Sequence, residues 1–400
     1  MQRVIFLVDM NSFFISCERI RHPEIIGKPA AVAGDPVTRT GIILTANYEA
    51  RRYGVKTAMN LKEAFKLCPD MITIPPDHKF YEQKSNEVMN ILSSFTPVIQ
   101  KNSIDEAWLD MTGCSGIFGE PIESAKKIMD RIEKQLGLWC SIGISENKFL
   151  SKMASEMKKP LGITELWRKD IKEKMWPLPV NYMYGVGKQT ALKLQDMGIL
   201  TIKDLALYDK DFLMKKLGKM GFEISLLANG IDTSPVTPHE DSDMKSIGRS
   251  TTLPHDITDF EYAKDVLLQL SDDVGMTART YGKKGRTVQI TIKYSNFKSI
   301  TRQMAIPETC SVKEIYNAGI NLLKKNWNKE PIRLIGISLS GFNNKYESEQ
   351  ISLFELPKIS EEKSDKDKIN KVETAILNIR QKYGTSIIKP GIIINRDNEK

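Results

Sequence analysis

The chain has 400 residues, 41% hydrophobic and 27% charged, with a formal net charge of +8 at pH 7 and a pI near 9.0. This is the composition of an ordinary soluble globular protein, long enough for two to four domains, whose modest positive excess permits a polyanionic partner without proving one. Five scattered cysteines with no CxxC spacing, and four histidines never at ligand spacing, argue against a disulfide framework, a zinc site and transition-metal chemistry.

In chain order, "VIFLVD" reads as a buried strand ending on Asp9. The run is too short for a membrane span and no small-residue cleavage site follows, so a cytoplasmic protein is expected. A helix begins near Ser12 in "SFFISCERI", and "PAAVAG" and "GIILTA" are strand candidates. "YEARRYGV" and "LKEAFKLCP" read as short helices stopped at Gly54 and Pro69. A long amphipathic helix, "DHKFYEQKSNEVMNILSSF", precedes a hairpin, "PVIQKNSIDEAWLDMTG", with Asp105 and Glu106 near its turn. The helix "PIESAKKIMDRIEKQLG", the strand "LWCSIGIS" and the helix "NKFLSKMASEMKKP" complete an α+β sheet layer. From Pro177 to about Gly230 the chain is helical with short loops. "IDTSPVTPHEDSDMKS" is the best linker, and residues 244–342 read strand, helix, two strands, helix, strand. From Asn343 the chain is polar and expected to be loose, apart from an amphipathic stretch around "KVETAILNIRQKYG".

Adjacent carboxylates at Asp105 and Glu106 are either a solvated hairpin corner or half of a cation site. Asp9, ending a buried strand of the same sheet, favours the second reading. Three oxygen donors converging on a sheet edge repel unless hard cations neutralise them, and Mg²⁺ suits such a set. Two such ions about 4 Å apart would stabilise the attacking and leaving oxygens of an in-line phosphoryl transfer. In "TANYEARRYGV", Tyr48 and Arg51 share a helix face and can bind phosphate, or else belong to a solvated basic helix. Lys159 is a further candidate cation or an ordinary surface lysine.

Together and in this order, "DMNSFFISCERI", "TANYEARRYGVKTAM", "SIDEAWLD" and "SENKFLSKMASEMKKP" resemble the Y-family translesion DNA polymerases, the UmuC/DinB family, over roughly residues 1 to 355. "VDMN" followed by "FFISCE" looks closer to UvrX-type UV-damage repair proteins of Gram-positive bacteria and their phages. "TANYEAR" and Phe14 are equally at home in the DinB branch. The resemblance implies a right-hand polymerase with a ferredoxin-like palm (1–10 and 75–166), small fingers (11–74) and a helical thumb with a helix-hairpin-helix (167–231). A linker (232–243), a βαββαβ little finger (244–342) and a flexible tail (343–400) would follow. It implies a catalytic set of Asp9, Asp105 and Glu106 holding two Mg²⁺, with the Met10 carbonyl completing one shell. Asn11 departs from the Asp of many relatives at a position not expected to be a ligand. Phe14 matches the steric gate against a 2′-hydroxyl, and Tyr48, Arg51 and Lys159 the triphosphate set, which Thr45 would join as a hydroxyl donor. Ile42 and Leu44 would roof the nascent base pair.

Gly185 and Gly187 in "YGVG" resemble the thumb's phosphate-binding hairpin. Residues 244–342 hold 15 lysines and arginines against nine acids, a net +6. "RTYGKKGR", with Arg279, Lys283, Lys284 and Arg286, is the densest basic stretch and would meet the DNA backbone without reading sequence. "EQISLFE" resembles a sliding-clamp peptide, with Gln350, Leu353 and Phe354 as anchors. The function implied is error-prone synthesis past damaged DNA from primer-template and dNTPs, without proofreading, in DNA repair and the SOS response. The enzyme would act as a monomer, with or without a UmuD-like or recombinase partner. A non-catalytic clamp adaptor and a two-metal nuclease are the alternatives. The three carboxylates speak against the first, and Phe14, Tyr48 and Arg51 against the second.

Overall fold

The computed structural model describes residues 2–34, 41–238, 244–342, 356–384 and 387–388, with backbone alone for 356–367. The chain forms two compact units whose main boundary falls between His239 and Glu240.

In the first unit, β1 (Ile5–Met10) leads to α1 (Phe13–Arg21), β2 (Ala30–Ala33), β3 (Ile43–Ala46), α2 (Tyr48–Arg52), α3 (Leu61–Leu67) and β4 (Ile72–Ile74). Then come α4 (His78–Ser93), β5 (Ile99–Lys101), β6 (Glu106–Asp110), the single turn α5 (Ser115–Phe118), α6 (Pro121–Leu136), β7 (Cys140–Ser145), α7 (Lys148–Met157) and β8 (Ile163–Glu165). The main sheet runs β5-β6-β1-β7-β8, with β1 central and antiparallel to both neighbours. Every residue of β1 is buried because both sheet faces are covered. Phe6, Val8 and Met10 face the main core, which also takes Phe80, Leu92, Ile128 and Ile132 from α4 and α6. Ile5 and Leu7 face the other way with Trp108, and Asp9 follows them by the period-2 alternation of a strand.

α7 covers that second face. The Asn147 side chain caps it, accepting from the Leu150 N–H at 2.8 Å. Gly143 on β7 lets it lie close: a Cβ there would sit 2.0 Å from the Ser151 carbonyl oxygen. The opposite side of α7, with Phe149, Leu150 and Met153, joins the core of a helical region. That region comprises α8 (Lys188–Asp196), α9 (Ile202–Leu207), α10 (Lys210–Leu217) and α11 (Lys219–Ala228). A small sheet, β3-β2-β4, packs with α3 around Ala31, Ile43 and Leu61.

The second unit is β9 (Ser246–Ile257), α12 (Phe260–Thr280), β10 (Gly285–Tyr294), β11 (Ser299–Thr309), α13 (Val312–Asn326) and β12 (Ile332–Ser340), the expected βαββαβ order. Its sheet runs β11-β10-β12-β9, all antiparallel. α12 and α13 supply Leu267, Val274, Ile315 and Leu323 to a core shared with Val288, Ile290 and Ile335. The tail expected to be loose carries a 28-residue helix, α14 (Leu356–Tyr383), which packs on α12. The clamp-peptide residues Gln350, Leu353 and Phe354 lie outside the described residues. No described helix is long and apolar enough to cross a membrane.

Candidate active site

Asp9 stands directly opposite Glu106 in the β1–β6 register, so neighbouring strands present two acids on one face. The main chain locks this end of the sheet, where the Met10 N–H donates to the Asp105 carbonyl at 2.9 Å. Asp105 itself accepts from the Ser103 hydroxyl at 2.6 Å. Asn11 is buried, bonded to Ser141 and to the Leu161 N–H, and serves as a structural tie behind the acids.

One cleft gathers most of the residues read from the sequence. Asp9, Met10, Phe14, Leu44, Thr45, Tyr48, Arg51, Asp105, Glu106 and Lys159 all line it. Ile42, expected beside Leu44, is not in that lining; it is 39% exposed and bridges to Asn60 instead. Ile42 precedes β3, and the β2–β3 register shifts at Leu44, so the period-2 alternation that would put both on one face is broken there. α2 sets the tyrosine–arginine pair. Its cap, Asn47, accepts from the Ala50 N–H, and the Arg51 Nε donates to the Ala46 carbonyl at 3.0 Å. Burial raises the Tyr48 hydroxyl above its ordinary value, keeping it a proton donor. Phe14 stacks on Tyr81 at 4.4 Å between ring centroids, and the Tyr81 hydroxyl donates to the buried Glu18 carboxylate at 2.6 Å.

Two lysines answer the acids. Lys159 Nζ lies 2.8 Å from Asp9 and 2.9 Å from Glu156. Lys152, buried on α7, contacts Asp9 at 3.1 Å, Glu156 at 2.8 Å, and Glu106. Burial holds the Asp9 carboxyl above the usual carboxylate range, helped by its hydrogen bond with Glu106 and opposed by both lysines. Burial also pushes Glu106 upward, but its bonds to Asp9, Lys152 and Asn102 outweigh that, and it ends below its ordinary value. Burial opposes the charge on both ammoniums, yet the carboxylates hold them above the usual lysine range.

Oxygen ligand atoms of Asp9, Glu106 and Glu156 lie within 4.8 Å of one another, a hard-donor cluster that fits a metal site. Lys152, Glu156, Tyr81 and Glu18 were not singled out from the sequence. The signal for the first two was present: a lysine amid the apolar spacing of "FLSKMASEM", with an acid four residues on.

In the second unit the basic stretch divides. The Arg279 guanidinium pairs with Glu373 of α14 and also bonds Asn370. Charge density read locally is blind to an acid 94 residues downstream. Arg286 stands 3.5 Å from Glu308, while Lys284 is exposed and Lys283 half-buried. In the first unit, Gly185 has φ +89°, and Gly187 starts α8 with φ −74° and open space around its Cα.

Carboxylates on adjacent strands, facing tyrosine, arginine and lysine in one cleft, suit a nucleotidyl-transferring enzyme of the Y-family DNA polymerase class. The comparisons agree. Residues 8–156 match the impB/mucB/samB family, residues 244–353 its C-terminal domain, and residues 168–199 the IMS family HHH motif. A protein of Clostridium kluyveri named DNA polymerase IV is 67% identical over 99% of both chains. Its counterpart in Alkaliphilus oremlandii is 56% identical over 98% of this chain and all of that one. Bacillus subtilis DNA polymerase IV 1 is 38% identical over the whole of this chain and 95% of that one. A solved Y-family DNA polymerase chimera of Dbh and Dpo4 superposes with a TM-score of 0.77 at 27% identity, covering 85% of this chain and 99% of that one. The chain belongs to the impB/mucB/samB family of Y-family polymerases. None of these three relatives carries the UvrX-type name toward which its first helix leans.

Proposed function

We propose that this protein is a template-directed DNA polymerase that synthesises past damaged DNA by transferring a nucleotide from a dNTP to a primer 3′-hydroxyl. The observation that carries the reading is the single cleft in which Asp9, Asp105 and Glu106 face Tyr48, Arg51 and Lys159. Asp9, Asp105 and Glu106, with the Met10 carbonyl, would hold two Mg²⁺, which when bound neutralise phosphate charge and activate the attacking oxygen. Arg51 and Lys159 offer cationic donors to a triphosphate, and the Tyr48 and Thr45 hydroxyls orient it. Phe14, backed by Tyr81, would exclude a 2′-hydroxyl, and Leu44 would cap the base pair; both line the cleft.

Gly187 supports a DNA-facing thumb: nothing in the fold requires glycine there, while an approaching phosphate would. Lys283, Lys284 and the positive balance of the second unit supply sequence-independent grip. Gln350, Leu353 and Phe354 supply a sliding-clamp anchor, and the work is done in the cytoplasm. Primer extension with Mg²⁺ and each dNTP tests the reading. Wild type should add the templated nucleotide slowly and distributively, and Asp105→Ala with Glu106→Ala should abolish addition while DNA binding persists. Absence of extension by the wild type, alongside tight DNA binding, would leave an adaptor instead.

A further inference from the structure

The acidic cluster raises a question that the polymerase reading does not answer. Three carboxylates whose oxygens lie within 4.8 Å of one another, two of them largely buried, should repel and spread when no divalent ion is present. Two ammoniums stand among them: Lys152 contacts all three acids, and Lys159 contacts Asp9 and Glu156. We propose that Lys152 is the palm's built-in counter-cation. It gathers Asp9, Glu106 and Glu156 in the metal-free protein and must yield Asp9 and Glu106 when a divalent cation binds.

Three observations carry this beyond an ordinary ion pair. Lys152 is only 6% exposed and touches all three acids, so its charge is committed to this cluster. It is not among the residues lining the substrate cleft, whereas Lys159 is. The two lysines therefore divide their work: Lys159 can turn toward a phosphate, and Lys152 approaches the acids from behind. Glu156 is likewise absent from the cleft lining, half-exposed, and one helical turn from Lys152.

That last placement supplies the release. When Asp9 and Glu106 turn to a divalent ion, Lys152 keeps Glu156 as its partner and is not left as an unpaired buried charge. Glu156 is thus the residue that makes displacement feasible, and Lys152 the one that holds the ligands together beforehand. Both are positioning residues, acting through the acids. The backbone-close seat of α7 on Gly143 fixes their distance from the strands.

The inference rests on Asp9, Asp105 and Glu106 being the metal ligands, and it makes opposite predictions for two substitutions. The test is Mn²⁺ binding to the full-length protein without DNA or nucleotide, read as free Mn²⁺ by electron paramagnetic resonance, with Mg²⁺ as competitor. Lys152→Met removes the competing charge and should tighten Mn²⁺ on the order of tenfold. Its metal-free melting temperature should fall, and Mn²⁺ should raise it by more than it raises the wild type. Glu156→Gln removes the resting partner, so Lys152 holds Asp9 and Glu106 harder and Mn²⁺ should bind several-fold more weakly. An Mn²⁺ affinity unchanged in both variants would overturn the proposal, as would weakening in both, which marks a merely structural role. Should Lys152→Met fail to fold, Lys152→Gln, which removes the charge but keeps a polar side chain, is read in its place with the same expected tightening of Mn²⁺, and no tightening overturns the proposal. A wild type that binds Mn²⁺ no better than Asp105→Ala with Glu106→Ala would instead remove the metal-ligand reading on which this stands.

Discussion

As a steric gate, Phe14 would depend on its support as much as on its own ring. Stacked at 4.4 Å on Tyr81 with an interplanar angle of 14°, it cannot swing aside without losing that contact. Phe14→Ala should therefore admit ribonucleotides, measured as the ratio of kcat/KM for dNTP over rNTP falling by at least about a hundredfold. Tyr81→Ala should lower the same ratio without touching substrate. Tyr81→Phe keeps the stack and should leave selectivity intact, but it takes the hydroxyl donor from the buried Glu18 carboxylate, leaving His22 at 3.8 Å, and costs about 1–3 kcal/mol of stability. Equal selectivity in the Ala and Phe variants would show that the stack does not hold the gate. A gate at Phe14 is proposed from its motif alone. Its support was not legible in the sequence, because Tyr81 lies 67 residues on, in a helix whose period reveals an apolar face and says nothing of what that face meets.

At the scale of elements, two contacts decide whether each site-bearing layer stays in place. α7 reaches the acids because Gly143 admits its backbone, and a Cβ would lie 2.0 Å from Ser151 O and 2.4 Å from Ser155 N. Neither neighbour is a yielding side chain. Gly143→Ala should thus push α7 off the sheet, costing about 1–3 kcal/mol and lowering polymerase activity far more than DNA binding. A melting temperature and kcat close to wild type would refute that account. In the second unit, Glu373 of α14 accepts from the Ser311 hydroxyl and the Val312 N–H at the start of α13, and pairs with Arg279. Removing it leaves a largely buried guanidinium unpaired and uncaps a helix. Glu373→Ala should destabilise this unit by about 3–5 kcal/mol, and adding Arg279→Ala should recover part of the loss. Thermal unfolding of the three variants checks both. Strands and helices were readable here because period, caps and turn residues act within a few positions. The pairing of Arg279 was not readable, because its partner acts across 94 positions.

Across the whole molecule, what the sequence disclosed was the order of chemistry along the chain; what it withheld was the set of contacts that hold that chemistry in place. Asp9, Asp105 and Glu106 are visible because an acid at the end of a buried strand is conspicuous against its apolar neighbours. Lys152 is not, since one lysine in a helix is ordinary until the fold buries it. Charge has the same two levels. The net +6 of residues 244–342 is a sum over sequence, but binding depends on the cations left over once internal pairs are counted. Arg279, held by Glu373, should not contribute, whereas exposed Lys284 should. DNA affinity measured between 50 and 200 mM salt separates the two. Lys284→Ala should reduce the slope of log K against log salt by about one and weaken binding equally for all sequences. Arg279→Ala, compared in the Glu373→Ala background so that no charge is stranded, should leave the slope unchanged. If Arg279 instead carries the larger share, α14 must leave α12 when DNA binds, because the same guanidinium cannot serve Glu373 and a phosphate at full strength.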